Sequence, residues 1–132
     1  MADVKSWLLN KEDLNKEVTF KASDKLPEFK IRTITGTELD KLQRGATVTH
    51  KKRGQFTQET DNRKFVNLLI ENTIVEPNLN DNEIQEYYGT VGNAAGTVRA
   101  MLTAGEYSAL IEKIQEIEGF DAEENEIEEV KN

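Results

Sequence analysis

One histidine stands in this chain, His50, directly before Lys51, Lys52 and Arg53. A nucleophilic triad or a metal centre needs its histidine set against carboxylate or hydroxyl partners by the fold. Here the local neighbours are cations, and the residue reads as solvated. Asn78, Asn80 and Asn82 have the spacing of the first ligands of a calcium loop. Glu83 then stands where the sharp turn requires glycine, and Gly89 where the bidentate glutamate is required. The same pattern started at Asp121 fails at Glu126. Gly89, Gly92 and Gly96 match neither the dinucleotide nor the P-loop spacing and read as helix breakers. With 25 acids in 132 residues, carboxylate pairs arise by chance and none is selected for acid–base work. Cysteine is absent, so thiol catalysis, a thiolate zinc site and disulfides are excluded. The chemistry-bearing residues thus point to no catalytic centre, cofactor or metal; the chain reads as a non-enzymatic interaction domain.

Composition narrows the partners. A length of 132 residues predicts one domain, long enough to bury a core without metal or disulfide staples. The formal net charge of −8 argues against a nucleic-acid binder, which needs clustered cations. No apolar run reaches the roughly 18 residues of a membrane span, and the first residues lack the apolar core of a signal peptide. No membrane partner is therefore expected, and the location expected is the cytoplasm. Asp121, Glu123, Glu124, Glu126, Glu128 and Glu129 against Lys131 make residues 121–132 a strongly acidic segment, expected to be a mobile tail behind a domain spanning 1–120.

The element with the clearest boundaries is a helix within Leu102–Asp121. Thr103 and Glu106 form a capping box and Leu102 and Tyr107 a hydrophobic staple. Tyr107, Leu110, Ile111, Ile114 and Ile117 recur at the spacing of a buried stripe. Gly119 is a natural stop, with Phe120 folding back beyond it. Upstream, Val4, Trp7, Leu8 and Leu14 suggest a short opening helix capped by Asp3. Val18, Phe20 and Ala22, then Phe29, Ile31 and Thr33, alternate as the strands of a hairpin. Thr35 and Glu38 open a second helix, with Leu39, Leu42 and Ala46 inward. Thr47–Gln58 breaks the pattern and reads as a basic, solvated loop or hairpin tip. Asp61 caps a helix through Phe65, Val66, Leu68, Leu69 and Ile70 that is expected to run until Pro77 stops it. Asn80 and Glu83 form a third box, before a helix burying Ile84 and Tyr87, with Tyr88 and Val91 as further candidates. Ala94, Val98, Met101 and Leu102 mark one more. The fold class expected is α+β: an N-terminal β-hairpin packed with four or five mostly short helices, helices dominating.

Candidate partner-binding residues follow from side chains that sit awkwardly with these roles. Trp7 and Leu8 are expected to dock on the body by ordinary burial preference, or else to form a contact face. Lys51, Lys52 and Arg53 suit an acidic partner. Tyr87, Tyr88 and Met101 offer adaptable apolar contact, Tyr87 and Met101 more as core.

Two stretches go further. PNLNDNEIQEYYG (77–89) followed by MLTAGEYSALIEKIQEIEGFD (101–121) resembles the XkdN-like tail assembly chaperones of phages and defective prophages. Upstream, SWLL, RTIT and DNRKFVNLLIENTIVEPNL fall in the same order, so the resemblance spans most of the chain. It implies a non-enzymatic role: binding the tape measure protein, an aggregation-prone helical chain, and keeping it soluble until tube subunits polymerise around it. It implies action in the host cytoplasm and absence from the mature virion. Among tail chaperones broadly it implies self-association in some members and, often, a longer frameshifted form. Val130-Lys131-Asn132 can be encoded by GTA-AAA-AAT, which holds an A-AAA-AAT slip sequence, so a frameshift-extended form is an expectation for this gene. The reading from another class is an adaptor that grips one folded protein through its hairpin and the Lys51–Arg53 finger.

Overall fold

A computed structural model describes residues 3–120. Two small antiparallel sheets and six α-helices follow one another in an α+β order, with helices dominating. A single 3-10 turn, Val4–Trp7, precedes α1 (Lys11–Leu14). The expected side-chain cap from Asp3 is not made. Strands β1 (Glu17–Phe20) and β2 (Phe29–Arg32) pair antiparallel, Val18 opposite Ile31 and Phe20 opposite Phe29. Period-two alternation turns Phe29 and Ile31 wholly inward, and Val18 and Phe20 half-inward.

Helix α2 (Gly36–Gly45) opens on the reciprocal Thr35–Glu38 box, and Leu42 and Ala46 are buried below it. Its last turn lies close on α3: a Cβ at Gly45 would come within 2.9 Å of Leu68 Cδ1. Strands β3 (Thr47–Lys52) and β4 (Gln55–Thr60) then form a regular two-stranded hairpin where no alternation marks one. Helix α3 (Asn62–Thr73) is capped by Asp61, whose Oδ1 accepts the Arg63 and Lys64 amides at 3.0 and 3.2 Å. It stops before the proline that was expected to stop it. The residues Ile74–Glu76 leave it as β5 and pair antiparallel with β2, making the hairpin a three-stranded sheet of order β1-β2-β5. The β-branched run Thr73-Ile74-Val75 suits that extended edge.

Helix α4 (Asn82–Tyr88) is capped by Asp81 rather than Asn80, Oδ1 accepting the Ile84 amide at 3.1 Å. The Asn80 amide instead donates to Asn78 Oδ1, a local turn. Helices α5 (Ala94–Met101) and α6 (Ala104–Ile117) follow, α6 opening on the reciprocal Thr103–Glu106 box. Gly119, at φ +83°, ends it in the left-handed region that glycine adopts freely. Phe120 turns back to pack on Phe65, ring centroids 6.5 Å apart.

One core joins these elements: Phe29 and Ile31 of β2, Leu69 and Ile70 of α3, Val98 of α5, Leu110 and Ile114 of α6. Gln85 is buried at its edge. Its Nε2 donates to the Leu79 carbonyl at 2.7 Å and its Oε1 accepts the Gly92 amide at 3.1 Å, tying both flanks of α4 together. The acidic segment 121–132, expected to be a mobile tail, lies outside the described residues.

Candidate protein-binding surfaces

The N-terminal arm departs most from expectation. Trp7 and Leu8, expected by burial preference to dock on the body, are 77% and 70% exposed. Val4 and Leu9 are exposed as well, at 71% and 60%. The reason lies in the geometry of the segment. A 3-10 turn and a single α-turn are too short to set an apolar stripe against the core. The arm is held at its base instead: Thr33 Oγ1 donates to the Leu14 carbonyl at 2.8 Å and accepts the Lys16 amide at 2.9 Å. The Thr33 amide donates to the Lys16 carbonyl at 2.8 Å. A fixed root therefore carries an uncovered apolar end.

Between the arm and the body lies a cleft of about 400 Å³ lined by Lys11, Leu14, Arg32, Thr33 and Glu38. Arg32 Nη2 meets Glu38 Oε2 at 2.6 Å. This hydrogen bond to the guanidinium holds the Glu38 carboxyl below the ordinary range against the opposing effect of burial, and the Thr35 amide helps. Nearby, Glu118 Oε1 accepts the Ile34 amide at 2.8 Å, while its Oε2 is buried without a partner among the described residues. Burial raises the Glu118 carboxyl above the ordinary range, outweighing that hydrogen bond and the attraction of Arg32.

The hairpin β3–β4 is the second surface. Its two central turn residues, Arg53 at φ 53° and Gly54 at φ 78°, are both left-handed, which matches the twist of a two-residue hairpin loop. Every side chain from His50 to Thr60 is exposed, and only Val48 is half-covered. Lys51, Lys52 and Arg53 crowd the tip. Lys51 Nζ lies 5.8 Å from the centroid of the Phe56 ring, itself 70% exposed. His50 Nε2 sits 3.3 Å from Glu59 Oε2 across the strands, which is an exposed pairing and not a catalytic or metal arrangement.

The third surface is the outer face of α4. Tyr87, expected in the core, is 82% exposed and stacks edge-on to half-buried Tyr88, centroids 4.9 Å apart. Val91, also a core candidate, is 71% exposed. The reason is register: the buried residue of α4 is Gln85, flanked by half-buried Ile84 and Tyr88, and Tyr87, two positions on, lies roughly 160° round the helix from it. Tyr88 lines a cleft with Leu26 and Met101, and Met101 packs on the core as expected.

The expected partner residues thus fall on three separate elements: Trp7 and Leu8 on the arm, Lys51–Arg53 on the hairpin tip, Tyr88 at the end of α4. Sequence reasoning passed over Leu9 and Phe56 as exposed apolar surface, and weighed Tyr87 as surface but preferred it as core. Among the described residues no three His, Asp or Glu side chains group as metal ligands, and no helix is long and apolar enough to cross a membrane.

The chain is similar to YqbN of Bacillus subtilis (strain 168), 29% identical over 102 residues that cover 76% of this chain and 68% of that protein. It is similar to the phage-like element PBSX protein XkdN of the same strain, 27% identical over 121 residues covering 90% of this chain and 80% of that one. The crystal structure of YqbN shares the fold, with a TM-score of 0.71 at 21% identity, covering 90% of this chain and 98% of that chain. The family model for the phage XkdN-like tail assembly chaperone protein matches residues 6–131, so it takes in the arm, the hairpin and the acidic segment alike, and the chain belongs to that family of tail assembly chaperones.

Proposed function

We propose that this chain is a non-enzymatic chaperone that binds the tape measure protein of a phage or prophage tail and keeps it soluble during assembly. It acts in the cytoplasm of the bacterial host and is left out of the mature virion. The observation that supports this reading is the arm: Val4, Trp7, Leu8 and Leu9 stand exposed in a chain whose core is filled by other residues. Contiguous exposed apolar residues on a small domain mark contact sites. A Trp-Leu-Leu run suits the apolar stripe of a helical client, since large flexible and aromatic side chains adapt to many partners. The net charge of −8 keeps a loaded complex dispersed.

The test is co-expression with the tape measure protein encoded in the same tail gene cluster. The two proteins are expected to co-purify from the soluble fraction. Absence of co-purification counts against the reading. The adaptor reading draws on the exposed cationic tip of the β3–β4 hairpin. Reversing the charges of Lys51, Lys52 and Arg53 abolishes binding under that reading and only weakens it where the arm holds the client.

A further inference from the structure

The β3–β4 hairpin concentrates positive charge in a chain of net charge −8. Lys51, Lys52 and Arg53 are exposed, and none has an ion-pair partner among the described residues. The one hairpin acid, Glu59, faces His50 across the strands and not the tip. Phe56 lies exposed beside Lys51. The surface is therefore cationic with one apolar spot. It calls for an extended acidic ligand that carries an apolar residue or two.

Such a ligand leaves the domain at the root of this hairpin. The last described residue, Phe120, packs on Phe65, in the first turns of α3. Helix α3 begins where β4 ends, and the Asp61 amide closes the root by donating to the Ala46 carbonyl at 2.8 Å. Residues 121–132 carry Asp121, Glu123, Glu124, Glu126, Glu128 and Glu129 with Ile127 and Val130 among them. From root to tip a six-residue hairpin measures about 20 Å. Twelve extended residues reach roughly 40 Å. Length, charge sign and apolar content all match.

We propose that residues 121–132 dock in cis along the β3–β4 hairpin, setting their carboxylates against Lys51, Lys52 and Arg53 and Ile127 or Val130 against Phe56. The acidic segment then occupies the dense cationic surface of the molecule and withholds it from other polyanions. The inference does not rest on the chaperone reading; the tape measure protein takes no part in its test.

The chain has no cysteine, so a single spin label can be placed at will. The full chain with Asn125→Cys carries a nitroxide, and the backbone amide signals of Lys51, Lys52, Arg53 and Gly54 are read by NMR. In about 0.01 M salt, where charges reach roughly 30 Å, these signals are expected to lose more than half their intensity. In about 1 M salt, where the reach falls to roughly 3 Å, most of it is expected to return. The low-salt loss is expected to vanish in Lys51→Glu/Lys52→Glu, and in Glu123→Gln/Glu124→Gln/Glu126→Gln, which leaves the hairpin untouched. Unattenuated hairpin amides at low salt overturn the proposal, as does attenuation that survives both charge variants. Attenuation that persists at equal size when labelled chains without isotope enrichment are mixed with unlabelled isotope-enriched ones assigns the surface to a second copy and overturns docking in cis.

Discussion

Trp7 and Glu118 show how far a single side chain can sit from its statistical place. Tryptophan is buried in most domains, and nothing in the residue itself warns that Trp7 is not. Its exposure follows from the weak helix it belongs to, so removing it costs the fold little. Trp7→Ala with Leu8→Ala is expected to change unfolding stability by no more than about 0.5 kcal/mol, as for surface sites generally, in denaturant titrations followed by circular dichroism. Glu118 is the opposite case, a carboxyl that burial holds above its ordinary range. A group whose folded value is raised favours the folded state below its unfolded value of about 4.5, and that contribution is lost as pH rises through the folded value. Gln at this position keeps an acceptor for the Ile34 amide and never ionises. The stability of Glu118→Gln relative to the parent is therefore expected to rise between pH 4 and pH 7 in paired denaturant titrations. Glu38, held low by Arg32, contributes with the opposite sign: its share is present above its unfolded value and is lost as pH falls through the folded one. An unchanged difference between the two proteins across that range contradicts the burial of Glu118.

At the scale of elements, legibility tracked local hydrogen-bond chemistry. The boxes at Thr35–Glu38 and Thr103–Glu106 need only side chains three residues apart, and both form as read. The stripe behind Thr103 places Leu110 and Ile114 in the centre of the core as its spacing requires. Truncating Ile114 to Ala is expected to cost about 2–5 kcal/mol in the same titrations, since the hole cannot be refilled. The run Asn78–Asn82 offers several caps at once, and only tertiary placement selects Asp81 over Asn80. Strand β5 was hidden because Ile74 and Val75 continue the apolar pattern of α3, and periodicity over three residues cannot separate helix from strand. Strands β3 and β4 were hidden for the converse reason. An exposed hairpin has no apolar alternation, and only its threonines and Arg53-Gly54 hinted at it. Gln85 was illegible too, since its two partners, Leu79 and Gly92, lie six and seven residues away on either side of α4. Gln85→Leu leaves the buried Leu79 carbonyl without its donor and the Gly92 amide without its acceptor, and a loss of roughly 1–3 kcal/mol is expected.

Taken as a whole molecule, the chain separates what holds it together from what it presents. The core is built by β2, α3, α5 and α6, and of the two stretches that carry the family resemblance one, 101–121, supplies α6 to it. The presented surfaces lie on the thinnest elements: a tethered arm, a two-stranded hairpin and the outer face of α4. These were the least legible parts, because contact surfaces are selected for a partner and not for internal consistency. The α+β class, the order of elements and the family could be read from residues; for Trp7 and Leu8 the residues left docking and a contact face both open, and only the fold shows them uncovered. The central claim is that this arm grips the tape measure protein. It is tested by the soluble fraction of that protein co-expressed with the parent chain and with Trp7→Glu/Leu8→Glu/Leu9→Glu. The account predicts a several-fold gain in soluble tape measure protein with the parent and little or none with the variant, which itself stays folded and soluble. No gain with the parent, or an equal gain with both, contradicts it.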